Sequence, residues 1–273
     1  MWSFDHEPDR SLFAQRYSLS SDTPAECAVK LASADADIGL VPVAALAFTP
    51  SLAVIPGCTI ASQDHVRSIL LIVRNPDGSA PDDVSGVGRV ALDTSSRTSS
   101  TYTRILFSRF WQVEPRFIEH PPDLEAMLRV ADAALLIGDP ALFALEDRHA
   151  RQHRTGEKLL YLDLAHEWHK FTGTMWVSAF WAVRPDSLRA ASTSPAQITA
   201  DFQHSRDQGL RHIDSLADEW SQRIAVPRDT IRTYLSANIW YTLDDACLQG
   251  LDLFYRYGVE CGALPLVPNL HFL

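Results

Sequence analysis

Runs of apolar residues alternate with helical patterns over the first two thirds of the chain. The apolar runs predict strands at residues 38–46, 52–60, 66–73, 89–93, 131–137 and 175–183. Several of these runs are apolar almost throughout, as strands covered on both faces are. Helical spacing predicts helices at residues 24–34, 102–111 and 123–130. This alternation indicates βαβ units and mostly parallel sheets.

The final third of the chain has a helical pattern throughout. Residues 195–262 predict three long segments, which begin at Pro195, at Pro227 and shortly after Thr242. Thr242 is expected to be the N-cap of the third segment, because its hydroxyl can accept a hydrogen bond from a free backbone N–H. Asp244 and Asp245 would then lie in the first turn, where the helix dipole favours negative charge.

The order of these elements predicts two lobes. Residues 1–67 and 178–273 are expected to form one lobe from both ends of the chain, with residues 68–177 inserted as the second. Two crossings between lobes form a hinge that permits closure around a ligand. A turn-rich segment at 75–83 follows the first crossing. We therefore expect an α/β protein with a mostly parallel, helix-flanked sheet in each lobe and a cleft between the lobes.

Composition narrows the classes of function. The 273 residues carry a net charge of -10, which argues against nucleic-acid binding but permits a local basic pocket. No apolar run approaches the about 20 residues of a membrane helix, and the first residues do not resemble a secretory signal. The four cysteines are scattered along the sequence, which favours reduced thiols over disulfides or zinc. A cytoplasmic protein without a membrane partner is expected, and its oligomeric state is open.

The strongest candidate for ligand binding follows the strand predicted at residues 89–93. The next seven residues are all Ser or Thr except Arg97. Hydroxyls cap helix starts, free backbone N–H groups there bind anions, and an arginine offers a planar fork for a carboxylate. The candidate ligand residues are Ser95, Ser96, Arg97, Thr98 and Ser99, at the end of a strand where open α/β sheets bind ligands. An N-cap on a surface helix explains the same pattern equally well.

Three further residues are candidates for substrate binding. Gly138 and Asp139 end a predicted strand, and Pro140 after them suits the first position of a helix. Asp139 is expected to be the N-cap, although it can instead face the cleft while Gly138 lets the backbone approach a ligand. Ser62 lies between two predicted strands. It can offer its hydroxyl to substrate where the lobes join, or act as an ordinary turn residue.

The ten histidines do not predict a metal site. Residues 166–169 read His-Glu-Trp-His, with the histidines three apart rather than four, and His149 and His153 lack an evident third ligand. Asp64 and His65 are adjacent, but neighbouring side chains on a strand point to opposite faces, so no dyad is expected. The sequence also has no P-loop, GxGxxG or GxSxG motif. Nucleotide binding and serine-hydrolase chemistry therefore lack support.

Segments spread in order along the chain resemble the chorismate dehydratases of the futalosine route to menaquinone. They lie at residues 36–43, 92–100, 136–139, 163–168, 171–173, 179–182, 205–209 and 234–235. The resemblance implies a type II periplasmic-binding-protein-like fold. It also implies a hydro-lyase that converts chorismate into 3-[(1-carboxyvinyl)oxy]benzoate without a metal or redox cofactor. The two carboxylates of chorismate suit the Ser/Thr/Arg loop, whereas the catalytic base is not indicated.

The start of the chain departs from this family. Its members begin with a central strand that carries a Tyr-Leu-Asn-type motif, and Met1-Trp2 corresponds to the continuation of that segment. We expect the natural start to lie further upstream. We also expect the first lobe, without this strand, to expose two unpaired strand edges, which is a costly arrangement.

Three other functions are compatible with the same fold. The sister enzyme 1,4-dihydroxy-6-naphthoate synthase is one, although the Thr-Ser-Ser-Arg-Thr-Ser loop fits the dehydratase better. A non-catalytic solute-binding protein for a small carboxylate is another, and such proteins are exported with a signal peptide. A ligand-sensing regulator is the third, but no DNA-reading helix pair precedes the predicted lobes.

Overall fold

The computed structural model describes residues 1–74, 83–188 and 193–273, so nearly all of the turn-rich segment predicted at 75–83 lies outside the described residues. The strands are β1 (Ile38–Pro42), β2 (Ala53–Ser62), β3 (Ile69–Arg74), β4 (Arg89–Asp93), β5 (Arg116–His120), β6 (Ala133–Ile137), β7 (Leu159–Asp163), β8 (Trp176–Val183) and β9 (His271–Phe272). The helices are α1 (Trp2–Asp5), α2 (Asp9–Phe13), α3 (Pro24–Ser33), α4 (Arg97–Ile105), α5 (Leu124–Val130), α6 (Gly138–Thr155), α7 (Leu164–Thr172), α8 (Pro185–Leu188), α9 (Pro195–Arg211), α10 (Ile213–Ser221), α11 (Arg228–Thr233) and α12 (Asp245–Glu260). Val43–Ala47 forms a 3-10 helix, and Leu106–Trp111 and Tyr234–Asn238 are π-helical. None of these helices, within the ranges just given, is both long and apolar enough to cross a membrane.

The strands form two sheets, with the orders β1-β8-β2-β9 and β5-β4-β6-β3-β7. In each sheet one strand runs against its neighbours: β8 is antiparallel to β1 and β2, and β3 is antiparallel to β6 and β7. The pairs β4–β5, β4–β6 and β2–β9 are parallel. The chain enters β3 from the first sheet and enters β8 from the second sheet. Each of these two strands therefore starts at the end of its sheet where its antiparallel neighbours finish. The sheets are therefore mixed, whereas the sequence pattern predicted mostly parallel ones.

The first sheet is continuous from β1 to β2. Leu40 of β1 lies opposite Trp181 of β8, and Val54 of β2 lies opposite Ala182 of the same strand. β8 is hydrogen bonded on both of its sides, whereas β1 and β9 lie at the two edges of this sheet. The expectation that the missing family strand leaves two unpaired edges stays a prediction.

Two local predictions also differ from the structure. The strand predicted at residues 38–46 ends at Pro42, and the apolar residues after it form the buried 3-10 helix. Thr242 does not cap the last helix. Asp244 does so, because its Oδ1 accepts a hydrogen bond from Cys247 N at 3.0 Å.

The main apolar core joins the two sheets. One cluster of buried side chains includes Leu71 and Leu135 of the second sheet and Val54 of the first. Between the sheets, the ring of Tyr102 in α4 stacks on Trp176 of β8, with ring centroids 3.7 Å apart. The division into lobes at residues 67/68 and 177/178 stays a prediction.

Candidate functional site

Helices α4, α6 and α7 begin at the same end of the second sheet, as does α5 after β5. Strands β4, β6 and β7 run in the same direction, so their carboxyl ends lie together there, and α4, α6 and α7 follow them. The N-caps are Ser96, Ile137 and Asp163. Free N–H groups at helix starts favour negatively charged ligands. Because β4 and β6 are neighbours, the structure brings the loop after β4 close to Gly138 and Asp139.

Asp93, the last residue of β4, holds these two segments together. Its Oδ1 accepts hydrogen bonds from Ser95 N at 2.9 Å and from Ser95 Oγ at 2.6 Å. Its Oδ2 accepts from Ile137 N at 3.3 Å. The residue is only 2% exposed. Sequence reasoning did not select Asp93, although an acidic residue at the end of a buried strand before a run of N–H and O–H donors is a usable signal.

The hydroxyls of the loop are partly engaged within the protein. Ser96 acts as the N-cap of α4, since its Oγ accepts from Ser99 N at 3.1 Å. Thr98 Oγ1 accepts from Ala44 N at 3.2 Å, and Ala44 belongs to the 3-10 helix that follows β1. Ser96, Thr98 and Ser99 are buried. Accepting a hydrogen bond leaves the O–H of Ser96 and Thr98 available as a donor.

Arg97 lies in the first turn of α4 and is exposed. Its Cζ is 5.8 Å from the centroid of the Phe48 ring, and Phe48, which follows the 3-10 helix, is 53% exposed. Across residues 1–74, 83–188 and 193–273, no carboxylate forms an ion pair with Arg97. A guanidinium beside an exposed aromatic ring suits a carboxylate that is attached to a ring.

Gly138 and Asp139 lie at the start of α6. The predicted N-cap role of Asp139 is wrong, because Ile137 is the N-cap and Asp139 is an exposed residue of the first turn. Gly138 has a φ of +61°, a conformation that favours glycine, and its N–H donates to Ser68 O at 2.8 Å. The Ser68 hydroxyl is 3.1 Å from Tyr234 Oη. Burial, with a smaller contribution from the charge of Asp139, raises the pKa of Tyr234.

Ser62 ends β2 and is engaged in a local turn. Its hydroxyl donates to the backbone oxygen of Asp64 at 3.1 Å, and the residue is 1% exposed. Ser62 therefore acts as a turn residue, which is one of the two roles that the sequence predicted. Contact between Ser62 and substrate stays a prediction.

Two cavities lie away from the loop of residues 95–99. A groove of about 620 Å³ at the end of β7 is lined by residues that include His65, Arg67, Asp163, His166, Lys170 and Asn238. A cavity of about 690 Å³ beside α1, α9 and α10 is lined by residues that include Trp2, Cys58, Trp181 and Arg206. Neither is lined by a residue of the 95–99 loop. Burial raises the pKa of the Cys58 thiol to about 11, so this cysteine is a poor nucleophile at neutral pH.

Solved structures with the same fold define the class of this protein. Protein AF1704 from Archaeoglobus fulgidus has a TM-score of 0.66 and 16% identity over 93% of this chain and 92% of that one. The alkanesulfonate-binding protein SsuA from Xanthomonas axonopodis pv. citri, bound to MOPS, has a TM-score of 0.60 and 16% identity over 92% and 86%. The periplasmic aliphatic sulphonate binding protein SsuA from Escherichia coli has a TM-score of 0.51 and 15% identity over 88% and 74%. The chain therefore has the two-sheet α/β fold of periplasmic binding proteins, which confirms the predicted fold class.

The family is shown by the sequence itself. Residues 3–260 match a family model described as menaquinone biosynthesis. This chain belongs to that menaquinone biosynthesis family. The resemblance noted in the sequence is thereby confirmed at the level of the family.

Proposed function

We propose that this protein is a chorismate dehydratase, which removes water from chorismate and releases 3-[(1-carboxyvinyl)oxy]benzoate for menaquinone synthesis. Membership of the menaquinone biosynthesis family supports this, as do the segments that resemble the dehydratases, above all residues 92–100. The observation that carries the proposal is the exposed guanidinium of Arg97, without a carboxylate partner among the described residues, beside Phe48.

Chorismate presents two carboxylates on and beside a six-membered ring. In the proposed complex, the fork of Arg97 binds one carboxylate, and the N-terminal end of α4 adds backbone donors. The hydroxyls of Ser96, Thr98 and Ser99 add further donors, whereas the hydroxyl of Ser95 already donates to Asp93. The exposed ring of Phe48 covers one face of the substrate ring. Each hydrogen bond to a charged group contributes about 1.5–3 kcal/mol. A protein of net charge -10 can therefore bind a dianion where its local donors converge.

The proposed reaction breaks the C4–O bond and the C3–H bond of chorismate. The hydroxyl group leaves with the electron pair of the C–O bond, and the electron pair of the C–H bond enters the ring, which becomes aromatic. The departing hydroxyl and the C3 proton together make one water, so atoms and electrons balance without an oxidant. In the proposed reaction the residues of this site hold the ring in one orientation and donate hydrogen bonds, and closure of the two lobes would exclude bulk water.

The test is to incubate the purified full-length chain with chorismate and to follow the products by mass spectrometry and proton NMR. The expected product is lighter by one water and shows new aromatic ring protons. A sample without protein corrects for the spontaneous decay of chorismate. Arg97→Ala should lower the rate, whereas Arg129→Ala, which changes an exposed arginine at the C-terminal end of α5, should leave it unchanged.

The alternatives give different results in the same assay. Chorismate that binds tightly but is recovered intact would contradict the dehydratase proposal and favour a solute-binding protein. Chorismate that neither binds nor reacts would contradict the assignment of this substrate and favour the sister naphthoate synthase.

A further inference from the structure

The adjacent residues Asp64 and His65 meet His166, which is 102 residues from Asp64 in the sequence, beside the first crossing between the sheets. Asp64 Oδ1 lies 2.6 Å from His166 Nδ1, and Asp64 Oδ2 lies 3.0 Å from His65 Nδ1. The two imidazole rings stack with centroids 4.1 Å apart and an interplanar angle of 25°. One ligand atom from each residue fits within a 4.8 Å span. Two ring nitrogens and a carboxylate therefore face a common point.

The backbone around this cluster is held in place by Asp163. Its Oδ2 accepts from Arg67 N at 2.6 Å, and its Oδ1 accepts from Ala165 N at 3.1 Å and His166 N at 3.3 Å. Arg67 has a φ of +64°, a conformation that a residue other than glycine keeps only when its surroundings impose it. One carboxylate thus fixes the segment after Asp64 relative to the first turn of α7.

A second anchor holds His65. Asn238, at the end of the π-helical segment, donates from Nδ2 to His65 O at 3.0 Å. Asn238, His65 and His166 all line the groove of about 620 Å³ at the end of β7. The side chains of Asp64, His65 and His166 are 51%, 52% and 41% exposed. The backbone of these residues is therefore held in place, while the side-chain nitrogen and oxygen atoms are open to an ion from solution.

We propose that Asp64, His65 and His166 bind a divalent transition-metal ion such as Zn²⁺, with water completing its coordination. Imidazole nitrogen together with carboxylate oxygen is a ligand set that suits Zn²⁺ and similar ions, at distances of about 2.0–2.2 Å. Small side-chain rotations can bring the three groups to those distances, because all three are partly exposed. This site is separate from the Arg97 loop, and it does not depend on the proposed dehydratase activity.

Metal binding would also join two parts of the fold. Asp64 and His65 lie between the end of β2 and the start of β3, whereas His166 lies in α7. An ion shared by these residues would connect the crossing segment to the helix through coordinate bonds in place of hydrogen bonds. The expected consequence is a rise in the melting temperature of the full-length chain when Zn²⁺ is added.

The test is calorimetric titration of the chelator-treated full-length chain with ZnCl₂, together with melting curves. We expect one Zn²⁺ to bind per chain. His166→Ala and Asp64→Asn should each weaken binding by more than about tenfold, since even loss of an outer partner of a metal ligand costs about 10–100-fold. His149→Ala removes an exposed histidine of α6, and it should leave the affinity unchanged.

Co²⁺ separates this site from binding by cysteine. Co²⁺ bound by nitrogen and oxygen gives visible absorption without an intense thiolate-to-metal band in the near ultraviolet. A thiolate band, the same affinity in His166→Ala, or no heat of binding would each overturn the proposal. Circular dichroism of the variants checks that they remain folded, so lost binding can be assigned to the lost ligand.

Discussion

Thr98 Oγ1 accepts a hydrogen bond from Ala44 N at 3.2 Å. The bond joins the helix that follows β4 to the 3-10 helix that follows β1, so it connects segments attached to different sheets. Both residues are buried. A buried backbone N–H without an acceptor is costly, so Thr98 has a structural task in addition to its proposed contact with substrate.

Thr98→Val should destabilise the protein. Valine has nearly the shape of threonine but lacks the acceptor, so Ala44 N would be left unsatisfied, at a cost of about 1–3 kcal/mol in the free energy of unfolding. Urea denaturation followed by circular dichroism measures this change. Thr98→Ser keeps the hydroxyl and should lose clearly less. A stability of Thr98→Val equal to that of wild type, with a loss in Thr98→Ser, would show that the methyl group and not the hydrogen bond matters.

Arg97→Ala should weaken chorismate binding by roughly tenfold or more, because charged hydrogen bonds contribute about 1.5–3 kcal/mol. Arg97 is exposed and has no ion pair to lose within the described residues, so the melting temperature should hardly change. Isothermal titration with chorismate gives the affinity, and Arg129→Ala is the matched control. An unchanged affinity of Arg97→Ala for chorismate would show that residues 95–99 only cap the helix and do not bind the substrate.

Glu125→Gln should lower stability at neutral pH, and this difference should shrink as the pH falls. Arg151 donates from Nε to Glu125 Oε1 at 2.7 Å and from Nη2 to Glu125 Oε2 at 3.0 Å. These hydrogen bonds lower the pKa of Glu125 below its ordinary value of 4.5. The stabilisation is therefore complete above pH 4.5 and is lost as the pH falls through the lower pKa of the folded protein.

Melting temperatures of wild type and Glu125→Gln at pH 7 and at pH 3 test this dependence. The exposed Glu119 of β5 provides the control variant Glu119→Gln. A gap between wild type and Glu125→Gln that is as wide at pH 3 as at pH 7 would contradict the ionic contribution.

Gly250→Ala should destabilise the protein, although the same change in most helices stabilises by about 1 kcal/mol. A Cβ built on Gly250 in α12 would lie 2.2 Å from the backbone oxygen of Met175. The helix or the segment before β8 would have to shift, which typically costs about 1–3 kcal/mol.

Gly209→Ala is the matched control for this glycine. Its Cβ in α9 would meet Trp2 Cβ at 3.7 Å, an ordinary contact distance. The two substitutions should therefore move the melting temperature in opposite directions. A rise in both variants would contradict the close approach of α12 to Met175.

The sequence pattern predicted the buried strands best. The strand predicted at residues 89–93 is observed with the same bounds, because its three central residues are apolar and buried, as in strands covered on both faces. Strands β5 and β7 were missed. β5 has only two adjacent apolar residues and is mostly half-buried or exposed. β7 does have a short apolar run, Leu159 to Leu162, which was not assigned to a strand. The buried apolar run after Pro42 was assigned to a strand, and it is a 3-10 helix. Continuous hydrophobicity alone does not separate these conformations.

The candidate site was predictable only in part, because some of its contacts join distant residues. The loop of residues 94–100 stands out by composition, but the bond from Asp93 to Ile137 depends on the pairing of β4 with β6. Asp64 and His65 were expected on opposite faces of a strand, yet β2 ends at Ser62 and the chain bends after it. His166 is 102 residues away from Asp64, so no local pattern could have paired them.

Each time the chain crosses from one sheet to the other, it enters a strand in the interior of the new sheet. β8 lies between β1 and β2, and β3 lies between β6 and β7. A strand held on both sides cannot peel away as an edge strand can, because its separation would break two hydrogen-bonded ladders at once. We therefore expect force applied between the two sheets to act on the middle of each sheet. If the predicted lobes rotate against each other, we expect the rotation in the short linkers at 63–68 and 173–175, where Arg67 and Gly173 have positive φ.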